Sequence, residues 1–238
     1  MDHRFKREMP HDSLYNGMVS YWKLEEASGV RADELGAHPL AQSTNDPARA
    51  VGIHGFGVDM DKASTNQLTR ANASAGDLKG SSGSWTFAMW IKIGTPANNN
   101  ALASCWSGSG GDRAFRLVTK GTAGTNCQIR FQATQQGSGG SIQTAGDTST
   151  EQITLANDTW HHYVAQHRNG TDIRMRVNNS AWIETAFTGG VSASGTDFYL
   201  GQTFDGMIDE AAWWSRSLTD LEIYWLYGNG KPLDLFSV

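Results

Sequence analysis

From Trp85 to Ile93 every second residue is apolar: Trp85, Phe87, Met89, Ile91 and Ile93 alternate with Thr86, Ala88, Trp90 and Lys92. A period of two predicts a long β-strand with one face on a core. The same alternation predicts strands over residues 17–24, 101–106, 114–120 and 127–134, separated by Gly- and Ser-rich turns. Phe115, Leu117, Ile129 and Phe131 then point inward, and Arg116 and Arg130 outward. Further along, Ile173, Met175 and Val177 alternate with Arg174 and Arg176, and the turn at 178–181 leads into a strand from Trp182. Phe198 and Leu200 precede a break at Gly201, and Met207 to Trp214 reads as another strand. Only then does the period change. Thr219 with Glu222 three residues on is a capping box, so a short helix is expected to open there and to stop at Gly228.

Composition narrows the class without changing this pattern. A chain of 238 residues, 39% hydrophobic, can bury a substantial core, and one all-β domain over 15–238 is expected. With 27 Gly and only 5 Pro, the turns are tight and linkers are not indicated. A formal charge of −5 offers no footprint for nucleic acid. Residues 1–14 are charged and lack alternation, so they read as an N-terminal arm. No apolar stretch follows the first basic residues and no run could span a bilayer. The expectation is therefore a soluble protein without a signal peptide, which either stays in the cytoplasm where it is made or leaves by lysis, a leaderless route or loss of a leader. Cys105 and Cys127 fall on the first and third strands of a meander, roughly 10 Å apart, too far for a disulfide.

Several tracts carry a family resemblance. Gly206-Met-Ile-Asp-Glu leads into Arg216-Ser-Leu-Thr-Asp-Leu-Glu-Ile, Trp160-His-His sits at the start of a strand, and Glu25-Glu-Ala-Ser-Gly follows the first aromatic strand. Together with residues 55–61, these resemble the laminin-G-like jelly rolls of the concanavalin A-like superfamily, over roughly residues 15–230. The resemblance implies an all-β fold, a two-sheet antiparallel jelly-roll sandwich of six or seven strands per sheet with one short C-terminal helix. It also implies a structural Ca2+ held by Asp209 and by carbonyls around Gly57. The alternative is that Asp209 only accepts hydrogen bonds from nearby backbone amides.

The superfamily includes laminarinase-type glycoside hydrolases, whose retaining mechanism needs two carboxyl groups on one face about 5 Å apart. Their Glu-x-Asp-x-x-Glu or Glu-x-Asp-x-Glu strands are absent here. Glu25 with Glu26, and Asp209 with Glu210, are adjacent and would point to opposite faces. Catalysis is therefore not expected, and a hydrolase built from distant carboxylates is the remaining enzymatic alternative. His161 and His167 share a face with His162 opposite, an arrangement that suits structure rather than zinc. Trp85 and Trp160 are expected in the core. Trp90 is out of phase with its strand's apolar face, and Trp106 and Trp182 adjoin turns. Each is a candidate sugar platform, or else covers the second sheet. Arg116, Arg130, Arg174 and Arg176 form either a basic stripe for acidic glycans or a solvated sheet face. The expected function is a non-catalytic binding or adhesion module for carbohydrate. It would be displayed on a larger assembly such as a phage virion, with residues 1–14 attaching it to other subunits. A purely structural assembly protein without glycan affinity is the alternative.

Overall fold

A computed structural model of the chain describes residues 10–43, 45–81, 83–107, 112–121, 127–136, 141–146, 153–231 and 235. Its axis is β16 (Gly206–Trp214), every residue of which is buried. One edge of β16 pairs antiparallel with β6 (Trp85–Ile93). The other edge is shared end to end by β4 (Phe56–Met60) and β1 (Met18–Trp22). The first sheet continues through β12 (Trp160–Arg168), β13 (Asp172–Val177) and β14 (Ile183–Ala186) on one side and β3 (Ala48–Val51) on the other. The second sheet runs β10 (Ile142–Ala145), β9 (Cys127–Thr134), β8 (Arg113–Lys120), β7 (Ala101–Trp106), β15 (Phe198–Leu200), β5 (Leu68–Arg70) and β2 (Ala41–Gln42). Strand β11 (Thr154–Leu155) also pairs with β9. Among the described residues, two antiparallel sheets of eight strands make the jelly-roll sandwich, slightly more per sheet than the six or seven expected.

The alternation of β6 sorts its residues as expected: Trp85, Phe87, Met89, Ile91 and Ile93 all enter the core between the sheets. Trp213 joins them, stacked on Trp85 at 4.6 Å and 20°. Trp160 does not. It lies on the outer face of the first sheet with the Lys92 ammonium 5.8 Å above its ring, because its phase is that of Val164, a member of the outer cluster. Cys105 and Cys127 are buried free thiols on strands separated by β8, and burial pushes the Cys127 thiol up to about 11.

Two helices cover that outer face. α1 (Pro10–Tyr15) and α3 (Asp220–Tyr227), with the short α2 (Asn72–Ala75) elsewhere in the chain, are the described α-helices. Leu14, Leu218, Ile223 and Leu226 pack on Val164, Ala212 and Trp214 in a second apolar cluster. The Trp214 indole donates to Leu14 O at 2.7 Å. The end of the N-terminal arm therefore spends its contacts on its own sandwich, while residues 1–9 lie outside the described residues.

The capping box read from Thr219 and Glu222 is present, and Gly228 closes α3 in the left-handed conformation at φ +54°. Arg216 ties both helices together. Its guanidinium donates to Glu222 at 2.6 and 3.0 Å and to the carbonyls of Ser13 and Asn16 at 2.6 Å each. Burial alone would raise the Glu222 carboxyl, but the bonds from Arg216 and Thr219 outweigh it and hold it down at about 2. A carboxyl depressed below its ordinary value of about 4.3 stabilises the fold above that pH and loses the contribution as pH falls through its folded value. Docking of α1 and α3 is thus expected to weaken between pH of about 4.3 and 2. Near-ultraviolet circular dichroism over this range checks it, and Glu222→Gln should remove the step. Among the described residues, no helix is long and apolar enough to cross a membrane.

Candidate functional site

The meander β7-β8-β9-β10 carries one polar row across the outer face of the second sheet. Ser104 stands opposite Arg116, Arg116 opposite Gln132, and Gln132 opposite Thr144. Tyr199 on β15 extends the row beyond Ser104. Their side chains are linked as well as aligned. Arg116 Nε donates to Gln132 Oε1 at 2.7 Å, and Gln132 Nε2 donates to Thr144 Oγ1 at 3.0 Å. Gln202 approaches from the β15–β16 connection, where its Oε1 accepts from Ser104 Oγ at 3.4 Å. Ser104 and Gln132 are buried between half-buried Arg116, Thr144 and Tyr199.

Trp106 joins this row through a register irregularity. The pairing of β7 with β8 shifts between Cys105 and Trp106, so Trp106 stands opposite Arg113. The Arg116 and Arg113 guanidiniums lie 4.5 Å and 5.5 Å from the Trp106 ring centroid. Such contacts hold a planar guanidinium against a flat apolar surface. The Arg116 pKa is lowered, first by burial and then by the positive charges of Arg130 and Arg113. Three arginines therefore share this region of a chain whose formal charge is −5.

The other candidates fall elsewhere. Arg130 does face outward, but it is buried and its Nη2 donates to Asn98 Oδ1 at 3.0 Å and Asn99 Oδ1 at 2.7 Å. It fixes the β6–β7 connection and gives the site charge rather than a free fork. Trp90, a candidate platform or covering ring, is 3% exposed. It lies under α3, its ring stacked on that of Tyr227 at 5.9 Å and tilted against that of His162 at 5.2 Å. Burial, with the charge of Arg176, pushes the His162 imidazole down to about 3, so the ring between them is neutral. Trp182 is half-buried at the N-terminus of α3, where its indole donates to Asp220 Oδ1 at 2.8 Å. Arg174 and Arg176 lie 4.0 and 5.3 Å from its ring. Both arginines are on β13 of the first sheet, so the single basic stripe through Arg116, Arg130, Arg174 and Arg176 is corrected to two separate patches.

Asp209 and Gly57 meet at the β3–β4 turn. Asp209 Oδ2 accepts from the amides of Ile53 at 2.9 Å and His54 at 3.1 Å, and Oδ1 accepts from its neighbour Glu210 at 2.8 Å. A Cβ on Gly57 would lie 2.8 Å from Ile208 O, and one on Gly52 would lie 2.2 Å from Asp209 Oδ2. The glycines let the turn close over the carboxylate. N–H donors occupy the acceptor positions of this carboxyl, whereas Ca2+ requires six to eight oxygens. These residues do not fit the implied calcium, and the amide-anchoring alternative describes what Asp209 does. Among the described residues, no three His, Cys, Asp or Glu side chains converge on a metal position.

A laminin-G family model described as the concanavalin A-like lectin/glucanases superfamily matches residues 64–224. The chain belongs to this superfamily. Solved structures agree on the fold. Domain 4 of AbnA, a GH43 extracellular arabinanase from Geobacillus stearothermophilus solved with arabinotriose, is 15% identical with a TM-score of 0.64, over 88% of this chain and 98% of that one. The binding domain of Paraclostridial Mosquitocidal Protein 1 is 12% identical with a TM-score of 0.66, over 93% of this chain. The botulinum neurotoxin serotype D ligand-binding domain, solved with N-acetylneuraminic acid, is 11% identical with a TM-score of 0.64, over 94% of this chain. The chain spans 53% and 56% of the two toxin structures. No curated protein matches it by sequence. Within this superfamily fold, the structure brings together two sets of sequence-derived candidates, Trp106 with Arg116 on the second sheet and Trp182 with Arg174 and Arg176 on the first. Sequence reading missed Arg113, Gln132, Ser104 and Tyr199. The outward phase of Gln132 beside Arg130 was the available signal for one of them.

Proposed function

We propose that this protein is a non-catalytic carbohydrate-binding module whose ligand lies along the outer face of the second sheet. The observation that carries the reading is the linked row Thr144–Gln132–Arg116–Ser104–Tyr199 with Trp106 against Arg116. It combines flat aromatic surface with hydroxyl, amide and guanidinium groups at fixed spacing, the combination a sugar ring requires. The row holds no carboxylate, whereas glycoside hydrolysis uses two. The arabinotriose and N-acetylneuraminic acid in two structurally similar domains support the same class of ligand.

A single shallow sugar site typically binds at about millimolar strength, near −4 kcal/mol, so useful adhesion depends on many copies. Display on a virion or other surface assembly, with the N-terminal segment as tether, would supply that avidity and is proposed with the module.

Titration of the full chain with an oligosaccharide panel, followed by heteronuclear NMR, tests the reading. Shifts are expected to cluster on Trp106, Arg116 and Gln132. Trp106→Ala should weaken binding about tenfold, the scale of a lost aromatic stacking contact together with its buried area. Shifts confined to the β13–α3 patch, or no binding by any oligosaccharide, would overturn it.

A further inference from the structure

We infer that the sugar recognised on this face carries a carboxylate, and that Arg116 reads it. The inference rests on the carbohydrate reading above and names the ligand class.

Arg116 has an unusual division of labour among its nitrogens. Its Nε is committed to Gln132, which is itself held by Thr144, and its Cζ lies over the Trp106 ring at 4.5 Å. Among the described residues, neither Nη of Arg116 has a hydrogen-bonding partner or an ion-pair partner. The side chain is therefore ordered without its terminal nitrogens being consumed. Other arginines of the chain contrast with it. Arg216 gives its fork to Glu222 and Arg168 to Asp172, while the Nη atoms of Arg31 are taken by Asp46 and by the carbonyls of Gly29 and Pro47.

An ordered guanidinium with two free parallel donors matches a carboxylate in bidentate geometry. A neutral sugar hydroxyl presents a single uncharged oxygen, so it does not match the two parallel donors and gains little from the charge. The neighbours favour an anion as well. Arg113 shares the Trp106 ring and Arg130 stands opposite Val118 on the next strand, so Arg116 is flanked by positive charge. An arriving carboxylate would be attracted by this positive charge and gain from the half-buried setting, where charges are less screened than at an open surface.

Two pairs of probes test this with the full-length protein, each pair differing in its acid group. Oligogalacturonate is compared with its methyl ester, and 3′-sialyllactose with lactose, by isothermal titration calorimetry and NMR. The acidic member of at least one pair is expected to bind about tenfold more tightly than its neutral partner, and the preference should shrink as salt is raised. Which pair shows it separates a uronate from a sialate source. Arg116→Gln should abolish the preference. Arg116→Lys, which keeps charge but loses the fork, should retain only a small part of it. Arg113→Gln, at a half-buried neighbour, should reduce the preference without removing it and serves as the second variant should Arg116→Gln lower the melting temperature. Equal binding of acidic and neutral members at the Trp106 row would sink the carboxylate inference while leaving the carbohydrate module standing. Failure of all four to bind would overturn the carboxylate inference and leave the module to the oligosaccharide panel above.

Discussion

Asp209→Ala is expected to lower stability by about 3 kcal/mol, the scale of three amides losing their acceptor where two can still reach water. The carboxyl joins the β3–β4 turn to β16, a link it shares with the His54 Nδ1–Glu210 Oε1 contact at 3.3 Å. It lies in β16 where the pairing partner changes from β4 to β1, at an irregularity that puts Glu210 at φ +49°. Its oxygens capture the β3–β4 turn, while Glu210 accepts from the Tyr21 hydroxyl on β1. Loss of Asp209 should therefore release the β3–β4 hairpin first. Hydrogen exchange would show it as lost protection at Ile53, His54 and Glu210, and denaturant unfolding would give the free-energy change. A chelator should leave the melting temperature of the parent protein unchanged, because the site is built from amides.

The protonation of Asp209 adds a pH signature. Burial pushes its carboxyl up to about 8, helped by the charge of Glu210 and resisted by the amides of His54, Glu210 and Ile53. A group whose folded value is raised stabilises the protein fully below its unfolded value of about 3.9 and loses that contribution as pH rises through the folded value. The stability gap between the parent protein and Asp209→Asn should thus narrow from pH of about 4 to 8. A gap that stays constant across that window would show that the three amides keep the carboxylate ionised throughout.

These expectations show where the sequence was informative. Alternation assigned Trp85, Phe87 and Met89 to the core because a strand has only two faces, and capping chemistry located α3 because it depends on residues three apart. The same alternation could not tell what lies above an outward residue. Trp90 is in the outward phase, yet α3 covers it through contacts from over a hundred residues away. Nor does alternation encode strand order. Arg116 and Arg174 look alike in sequence, but they occupy different sheets. Trp106 meets Arg113 and Arg116 only after a pairing irregularity that no local pattern announces. Asp209 was legible as a motif residue, whereas its partners, amides about 155 positions earlier in the chain, became evident only from the folded turn.

Trp213→Ala is expected to be the more damaging change, at about 4 kcal/mol, within the range for removing a buried aromatic and leaving a cavity. Trp213 is fully buried on β16 and stacks on Trp85 from β6. It also meets Phe115 from β8 at 5.5 Å and Phe198 from β15 at 6.4 Å, so one ring bridges the two sheets. A loss of that size is a large share of the roughly 5–15 kcal/mol that holds a typical domain. Trp214, equally buried and adjacent in sequence, faces the other way into the α1–α3 layer. Trp214→Ala should therefore undock those helices before it unfolds the sandwich, visible as two transitions rather than one. Trp213→Phe should retain most of the packing and remain folded. Because Phe115 points inward and its neighbour Arg116 outward, that variant should bind the ligand with unchanged affinity below its melting temperature. A folded Trp213→Phe protein with weakened binding would mean that the core sets the Arg116–Trp106 geometry through the sheet, and that the outer row is not an independent site.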